Sequence, residues 1–353
     1  MADARETNAR RLRRLTQMRK TGSVTGACKA LQDVWEAGRK PNSIVLRSSS
    51  LLQTSEERSR LTKLVLPKGI ALRFYLLAAF EAQCRLSEGE PWENVLPLSG
   101  RGSWSDLVAI DGAYDTDSAT YMRDTVGSRK LENLRLQQIK GALRTLEELG
   151  GEHRLVTMPR GKSGQRKYKE FLLMNESGRG GNQTPDVYTV PAGHWAAART
   201  IAIPAAFFLK GWVQVLNPSE VATWLILRML SKWAPDKHTA SGVYLYGQAR
   251  LESFGLRDDA WEDGCQRLRE FGLIRFAQPP EKEVAGEGTD TVPARKVLFS
   301  RPTRIRRRYE PHYWQVTDQG LNVNAAKRLD QELTLRQQDL DTAAKQRRPQ
   351  NRP

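Results

Sequence analysis

From Ser128 to Lys140 the chain carries Ser128, Arg129, Lys130, Asn133, Arg135, Gln137, Gln138 and Lys140. These are the side-chain types with which a helix reads duplex DNA. Arginine spans O6 and N7 of guanine, asparagine or glutamine pairs with N6 and N7 of adenine, and lysine holds phosphate. The bland alternative is an ordinary solvated helix face, since amphipathic helices are commonly rich in Lys, Arg and Gln. Arg160, Lys162, Arg166, Lys167 and Lys169 then crowd into ten residues together with Gly161 and Gly164. Glycines there let backbone lie close to a phosphate, which favours the DNA reading. Arg301, Arg304, Arg306, Arg307 and Arg308 place five arginines in eight residues, denser than a solvated face usually is. Tyr309, Tyr313 and Trp314 stand beside them as candidates for base stacking. The tryptophans Trp195, Trp212, Trp224, Trp233 and Trp261 sit among Leu and Ile and are expected to pack cores.

Enzymatic motifs fail on spacing. Gly161-Lys162-Ser163 resembles the end of a phosphate-binding loop, but the glycine it requires five positions earlier is Val156, and the run lies between two strands instead of before a helix. Asp111, Asp115 and Asp117 lack the spacing of a calcium loop and its closing glutamate. His153, His194, His238 and His312 are dispersed, and no Cys pair supports a zinc knuckle. A recombinase would draw on Arg308, His312 and Tyr313, whose spacing does not suit that chemistry. The expectation is a binding protein with no catalytic residues, no metal and no cofactor.

The bulk properties agree. Lys and Arg number 56 against 40 Asp and Glu, a formal charge of +16, which draws in polyanions. The most apolar runs, 69–80 and 221–230, are shorter than the roughly 20 residues of a spanning helix. The N-terminal run MADARETNARRLRRL has no apolar core, so neither a membrane anchor nor a signal peptide is expected. Cys28, Cys84 and Cys265 are odd in number and far apart, as in a reducing cytoplasm.

The elements that must position these residues are legible in outline. Residues 1–60 read as a basic, partly disordered leader with a short helix near Gly26–Glu36 and a mobile linker at Pro41 and Ser48–Ser50. Residues 64–178 read as helix (from Pro67 through GIALRFYLLAAFEAQCRL), short helix (Trp104 to Ile110), a polar insertion, long helix (Ser128 to Leu149), and a hairpin made of HRLVTMPR and KYKEFLLMNE around the loop GKSGQR. A connector spans 179–200. Residues 201–316 repeat the order: a helix opened by Asn217-Pro218-Ser219-Glu220, a brief strand at Gly242–Leu245, helices Gln248–Phe254 and Asp258–Phe271, a strand at 272–276, and a return at Val297–Phe299. The tail, 317–353, is polar, with a helix over Ala325–Lys345. The fold class expected is α+β, mainly α, with two winged-helix-like domains in tandem and basic, flexible N- and C-terminal extensions.

This order, with the phrases IPAAFFLKGWVQVLNPSEVATWLILRML and YGQARLESFGLRDDAWEDGCQRLREFGLIRF, resembles the tandem winged-helix replication initiators of bacterial plasmids, and more widely bacterial helix-turn-helix regulators. The resemblance covers about residues 64–316. It implies sequence-specific binding to double-stranded DNA at repeated sites, a homodimer, host replication proteins as partners, and a cytoplasmic, nucleoid-associated location. Two features depart from it: the acidic start of the 258–271 helix and the long 111–127 insertion. A transcriptional regulator needs the same surface, and a non-specific partition or assembly factor would use the charge alone.

Overall fold

Basic as it is, the start of the chain carries Leu15 and Met18 one turn apart, and both are buried. Helix α1 (Ala4–Lys20) runs antiparallel to a C-terminal helix: Arg5 pairs with Asp341, the Asn8 amide donates to the Leu333 carbonyl at 2.9 Å, and Arg19 pairs with Asp330. Helix α2 (Ser23–Ala37) buries Val24, Ala27 and Leu31. Strand β1 (Ser43–Arg47) pairs antiparallel with residues 200–204, and Ser48–Ser50 form a tight turn with Ser48 and Ser50 buried. The expected mobile leader is thus corrected. Apolar side chains at helical spacing inside a basic run have a core to face, and charge does not prevent it. The computed structural model of the chain describes residues 4–53, 58–65, 69–110, 114–115, 120–121, 128–150, 153–179, 185–192, 199–277 and 313–346.

After the short helix α3 (Arg60–Lys63), α4 (Ala71–Arg85) is buried on nearly all sides. Phe74 meets Trp104 at 5.1 Å and Phe171 at 5.9 Å between ring centres, and Trp92 meets Phe171 at 5.2 Å. Each such ring contributes about 1.5–3 kcal/mol by burial alone. Helix α5 (Trp104–Leu107) carries a capping box of Ser103 and Asp106. The 111–127 insertion is described only as β2 (Tyr114–Asp115) and β3 (Thr120–Tyr121), which pair with each other. Helix α6 (Ser128–Glu147) turns Ile139, Ala142, Leu143 and Leu146 inward. A three-stranded sheet follows in the order β4 (Val156–Thr157), β5 (Leu172–Arg179), β6 (Pro185–Val187).

Strand β7 (Thr200–Pro204) is the partner of β1 and leads into the short helices α7 (Ala205–Leu209) and α8 (Trp212–Val215). Helix α9 (Pro218–Trp233) begins at Asn217, as the sequence suggests, with Pro218 in the first turn and Glu220 closing a capping box. After α10 (Pro235–Ser241), Val243 bridges to Trp314. Helices α11 (Gly247–Phe254) and α12 (Asp258–Glu270) are joined through the left-handed Gly255, φ 66°. Helices α9 and α12 touch so closely that a Cβ on Gly264 would stand 2.6 Å from the Thr223 hydroxyl. Strand β8 (Ile274–Phe276) pairs antiparallel with β9 (Trp314–Val316). The return strand expected at Val297–Phe299 lies outside the described residues. Helix α13 (Ala325–Gln346) covers the expected tail helix and is the partner of α1.

The protein is mainly helical with small sheets, and most of the buried apolar side chains among the described residues form one continuous cluster. Two polar devices cross that core. Gln214, fully buried, accepts from the Ala109 amide and donates to the Leu107 carbonyl, both at 2.9 Å, tying α8 to the end of α5. Glu176, equally buried, accepts from the Arg47 amide and guanidinium at 2.9 Å, and Arg47 also donates to the Thr189 carbonyl. Paired in this way, neither polar group is left stranded in the interior.

Candidate nucleic-acid interface

Asn133, Gln137 and Arg144 are exposed on α6, with Lys140 half-buried between them. Their spacing of four, three and four residues puts them in one row along the helix, opposite the face of Ile139, Ala142 and Leu146. Arg135 and Gln138 fall elsewhere. Both are only half-buried, and Arg135 Nε is enclosed with no hydrogen-bond partner. Ser128, Arg129 and Lys130 form the first turn of α6, but their side chains lie outside the described residues. Arg144 was missed from sequence. Its signal is the continued three-to-four spacing beyond Lys140.

The hairpin between β4 and β5 stands at the C-terminal end of α6, and Glu147 holds it there. One Glu147 oxygen accepts the Met158 amide at 3.1 Å, and the other accepts Arg160 at 3.1 Å and Arg166 at 2.7 Å. Arg166 also reaches Glu148 at 2.8 Å. The hydrogen bond to Glu147, more than any other influence, raises the pKa of Arg166. Two of the five cations read from the hairpin sequence are therefore engaged in fixing it to the helix. Lys167 pairs with Glu170 at 3.0 Å, an exposed pair of little energetic weight. Lys162 and Lys169 are exposed. The Lys140 ammonium lies 5.4 Å from the ring centre of Tyr168, so the helix row and the hairpin form one continuous surface. Glu147 is the positioning residue that sequence reading overlooked, because an acid inside a basic cluster looks like a defect in it.

Helix α12 differs in charge. The exposed positions of α12 include Asp258, Asp259, Glu262 and Asp263, which repel phosphate while favouring the helix start. Its late cations are engaged: Arg267 pairs with Glu270 at 2.8 Å, and Arg269 lies 4.5 Å from the centre of the Phe276 ring. Arg336 of α13 also pairs with Glu270 at 2.6 Å. Arg301, Arg304, Arg306, Arg307 and Arg308, with Tyr309, lie outside the described residues. Of the tryptophans expected in cores, Trp212, Trp224 and Trp261 are buried and Trp233 is exposed, while Trp314, expected as a stacking candidate, is buried as well. Trp195 lies outside the described residues.

Beside the β8–β9 pair the Val316 amide donates to His238 Nε2 at 2.9 Å, and the Gln315 side chain donates to the His238 and Thr239 carbonyls at 2.9 and 3.0 Å. Burial, then Arg228 and Arg275, press the His238 pKa below its ordinary 6.5, with Asp318 opposing. His238 thus accepts as a neutral ring, whereas the unfolded chain takes up its proton near the ordinary value. The stability it contributes is fully present above about pH 6.5 and is lost as pH falls further. A decline in thermal midpoint between about pH 7 and pH 5 is expected, of which the share due to this hydrogen bond is about 1 kcal/mol. His238→Gln, which keeps an acceptor without a titrating ring, should show a shallower decline in calorimetry. An equal decline in both proteins would remove His238 as its source.

Among the described residues no cluster of His, Cys, Asp and Glu could hold a metal ion, and no helix is long and apolar enough to cross a membrane. Comparison with family models, with curated proteins and with solved structures finds no match in any of the three.

Proposed function

We propose that the chain is a sequence-specific double-stranded DNA-binding protein made of two winged-helix units in tandem, acting in the cytoplasm as the replication initiator of a plasmid or mobile element. The carrying observation is the outward row Asn133, Gln137, Lys140, Arg144 on α6, beside a basic hairpin fastened to the same helix by Glu147. A helix with hydrogen-bonding and cationic side chains in one row suits the major groove, and a hairpin held at its end suits the neighbouring phosphates. The order α9, α10, the bridge residue Val243, α11, α12 and the antiparallel β8–β9 pair, with two consecutive helices before a strand pair, supports a second unit of related type. Its acidic α12 favours a contact with protein over duplex, either a second copy of the chain or a host replication protein.

The test is a selection from random double-stranded DNA with the full chain at near-physiological salt. Enrichment of a defined motif, repeated or two-part, is the expected result. Tight, salt-sensitive binding with no enriched motif would overturn sequence-specific recognition and leave a charge-driven association.

A further inference from the structure

Beside the outward row of α6 runs a second one, Gln138, Gly141, Thr145 and Glu148, at spacings of three, four and three residues. With Arg144 and the start of α4 at Gly69 it lines a groove of about 770 Å³. On the other side of Gly69 lies a second cleft of about 400 Å³, lined by Arg14 of α1, Arg73 of α4 and Asn217 at the start of α9. The two walls carry three arginines and one acid, Glu148, which already pairs with Arg166. Arg14, half-buried, and Arg144, exposed, take part in no hydrogen bond or ion pair among the described residues. Gly141 has no packing reason to be glycine. It lies inside α6, where glycine weakens a helix more than any residue except proline. A Cβ there would meet no described atom within 4 Å, and its φ is not left-handed. What the missing side chain does is leave the groove open.

We propose that this groove and the cleft beyond Gly69 hold backbone phosphates of the duplex, on the flank of α6 opposite the hairpin. Lys140, at the other edge of the outward row, lies against Tyr168 of the hairpin. A helix lying in a major groove has a phosphate strand on each side. The hairpin meets one strand, and Arg144 and Arg14 meet the other. An acidic protein partner is disfavoured because Arg144 belongs both to the groove and to the row that carries Asn133 and Gln137. The assignment rests on α6 entering duplex, and it adds the N-terminal helix α1 as an element that contacts DNA.

The experiment is fluorescence anisotropy on the full-length protein with labelled duplexes, one carrying a selected site and one scrambled, at several salt concentrations. Phosphates are common to every duplex, so the scrambled one tests the groove whether or not the selection yields a motif. Gly141→Glu is expected to weaken both duplexes alike by at least about tenfold, with a thermal midpoint no lower than that of wild type, since glutamate favours helix over glycine. Gly141→Lys, of opposite sign, is expected to bind both at least as tightly as wild type. Arg14→Gln is expected to weaken both by about threefold and to reduce the slope of log K against log salt by about one. Equal binding by the Gly141→Glu and Gly141→Lys proteins would overturn the proposal, as would an unchanged salt slope with Arg14→Gln. Duplex binding unaltered by all three variants would overturn it in favour of an acidic protein partner. Any of these beside a lowered specific ratio in an Asn133/Gln137 double variant would leave α6 reading duplex and remove the groove alone. A wild-type chain that binds neither duplex would remove both.

Discussion

Alanine at both Asn133 and Gln137 is expected to lower the ratio of specific to non-specific duplex affinity by about ten- to a hundredfold, the discrimination carried by one or two well-made base contacts. Both side chains are exposed in the outward row of α6, so their removal disturbs no packing and should leave the thermal midpoint in place. Lys162→Ala makes the contrasting case. Its exposed ammonium at the hairpin tip has only phosphate to meet, so affinity should fall alike for every duplex and the slope of log K against log salt should shrink by about one. Arg135→Ala and Gln138→Ala are expected to act on stability more than on the ratio, because both side chains turn away from that row. Competition binding with a selected site against a scrambled duplex, repeated at several salt concentrations, separates the three behaviours. An unchanged ratio in the Asn133/Gln137 double variant would mean that α6 does not read base edges. A lowered ratio with Lys162→Ala would mean that the hairpin does.

The difference between Arg135 and Asn133 also marks what was legible in advance. Apolar spacing from Leu134 to Leu149 is enough to predict a helix with one buried side. It does not say how the two sides of the helix away from that face are set against their neighbours. Arg135 therefore passed for a reading residue, and Arg144, one turn beyond the run considered, was left out. Local chemistry was the most reliable guide. The cap at Asn217 with Glu220, the turn at Gly255 and the ends of α11 and α12 all follow from residues within a few positions of each other. Pairings distant in sequence left no local trace: Arg47 opposite Thr200 in β1–β7, Asn8 against Leu333, Arg60 donating to the Glu176 carbonyl. For that reason a basic, polar start read as a leader although its apolar residues complete a core supplied by the other end of the chain. Strand β9 was hidden in another way. Its three residues come after an arginine cluster and a proline, Pro311, and have too short an alternation to stand out.

Glu220 joins these distant parts, and its replacement by alanine is expected to cost about 3–5 kcal/mol, the usual penalty for removing one partner of a buried ion pair. Its side chain is 3% exposed and that of its partner Arg11 14%. One carboxylate oxygen accepts both the Asn217 amide and an Arg11 nitrogen at 2.8 Å, so the group caps α9 and anchors α1 at once. Arg11 also lies 5.2 Å from the centre of the Phe271 ring, at the end of α12. Without the carboxylate the guanidinium is left enclosed against that ring and the α9 start loses an acceptor, itself worth about 1 kcal/mol. Against a total stability of about 5–15 kcal/mol for a typical domain, this is enough to unfold a substantial fraction of the protein at modest urea. Asp341→Ala, which breaks the exposed pair with Arg5 along the same α1–α13 contact, should cost no more than about 1 kcal/mol. Glu220→Gln keeps an acceptor for the Asn217 amide and should fall between the two. Changing Arg11 to Met in the Glu220→Gln background should recover part of the loss, because no charge is then stranded. Urea unfolding followed by tryptophan fluorescence measures all four. A Glu220→Ala cost no larger than that of Asp341→Ala would show that α1 is held by its apolar face alone, and that Arg11 reaches water once its partner is gone.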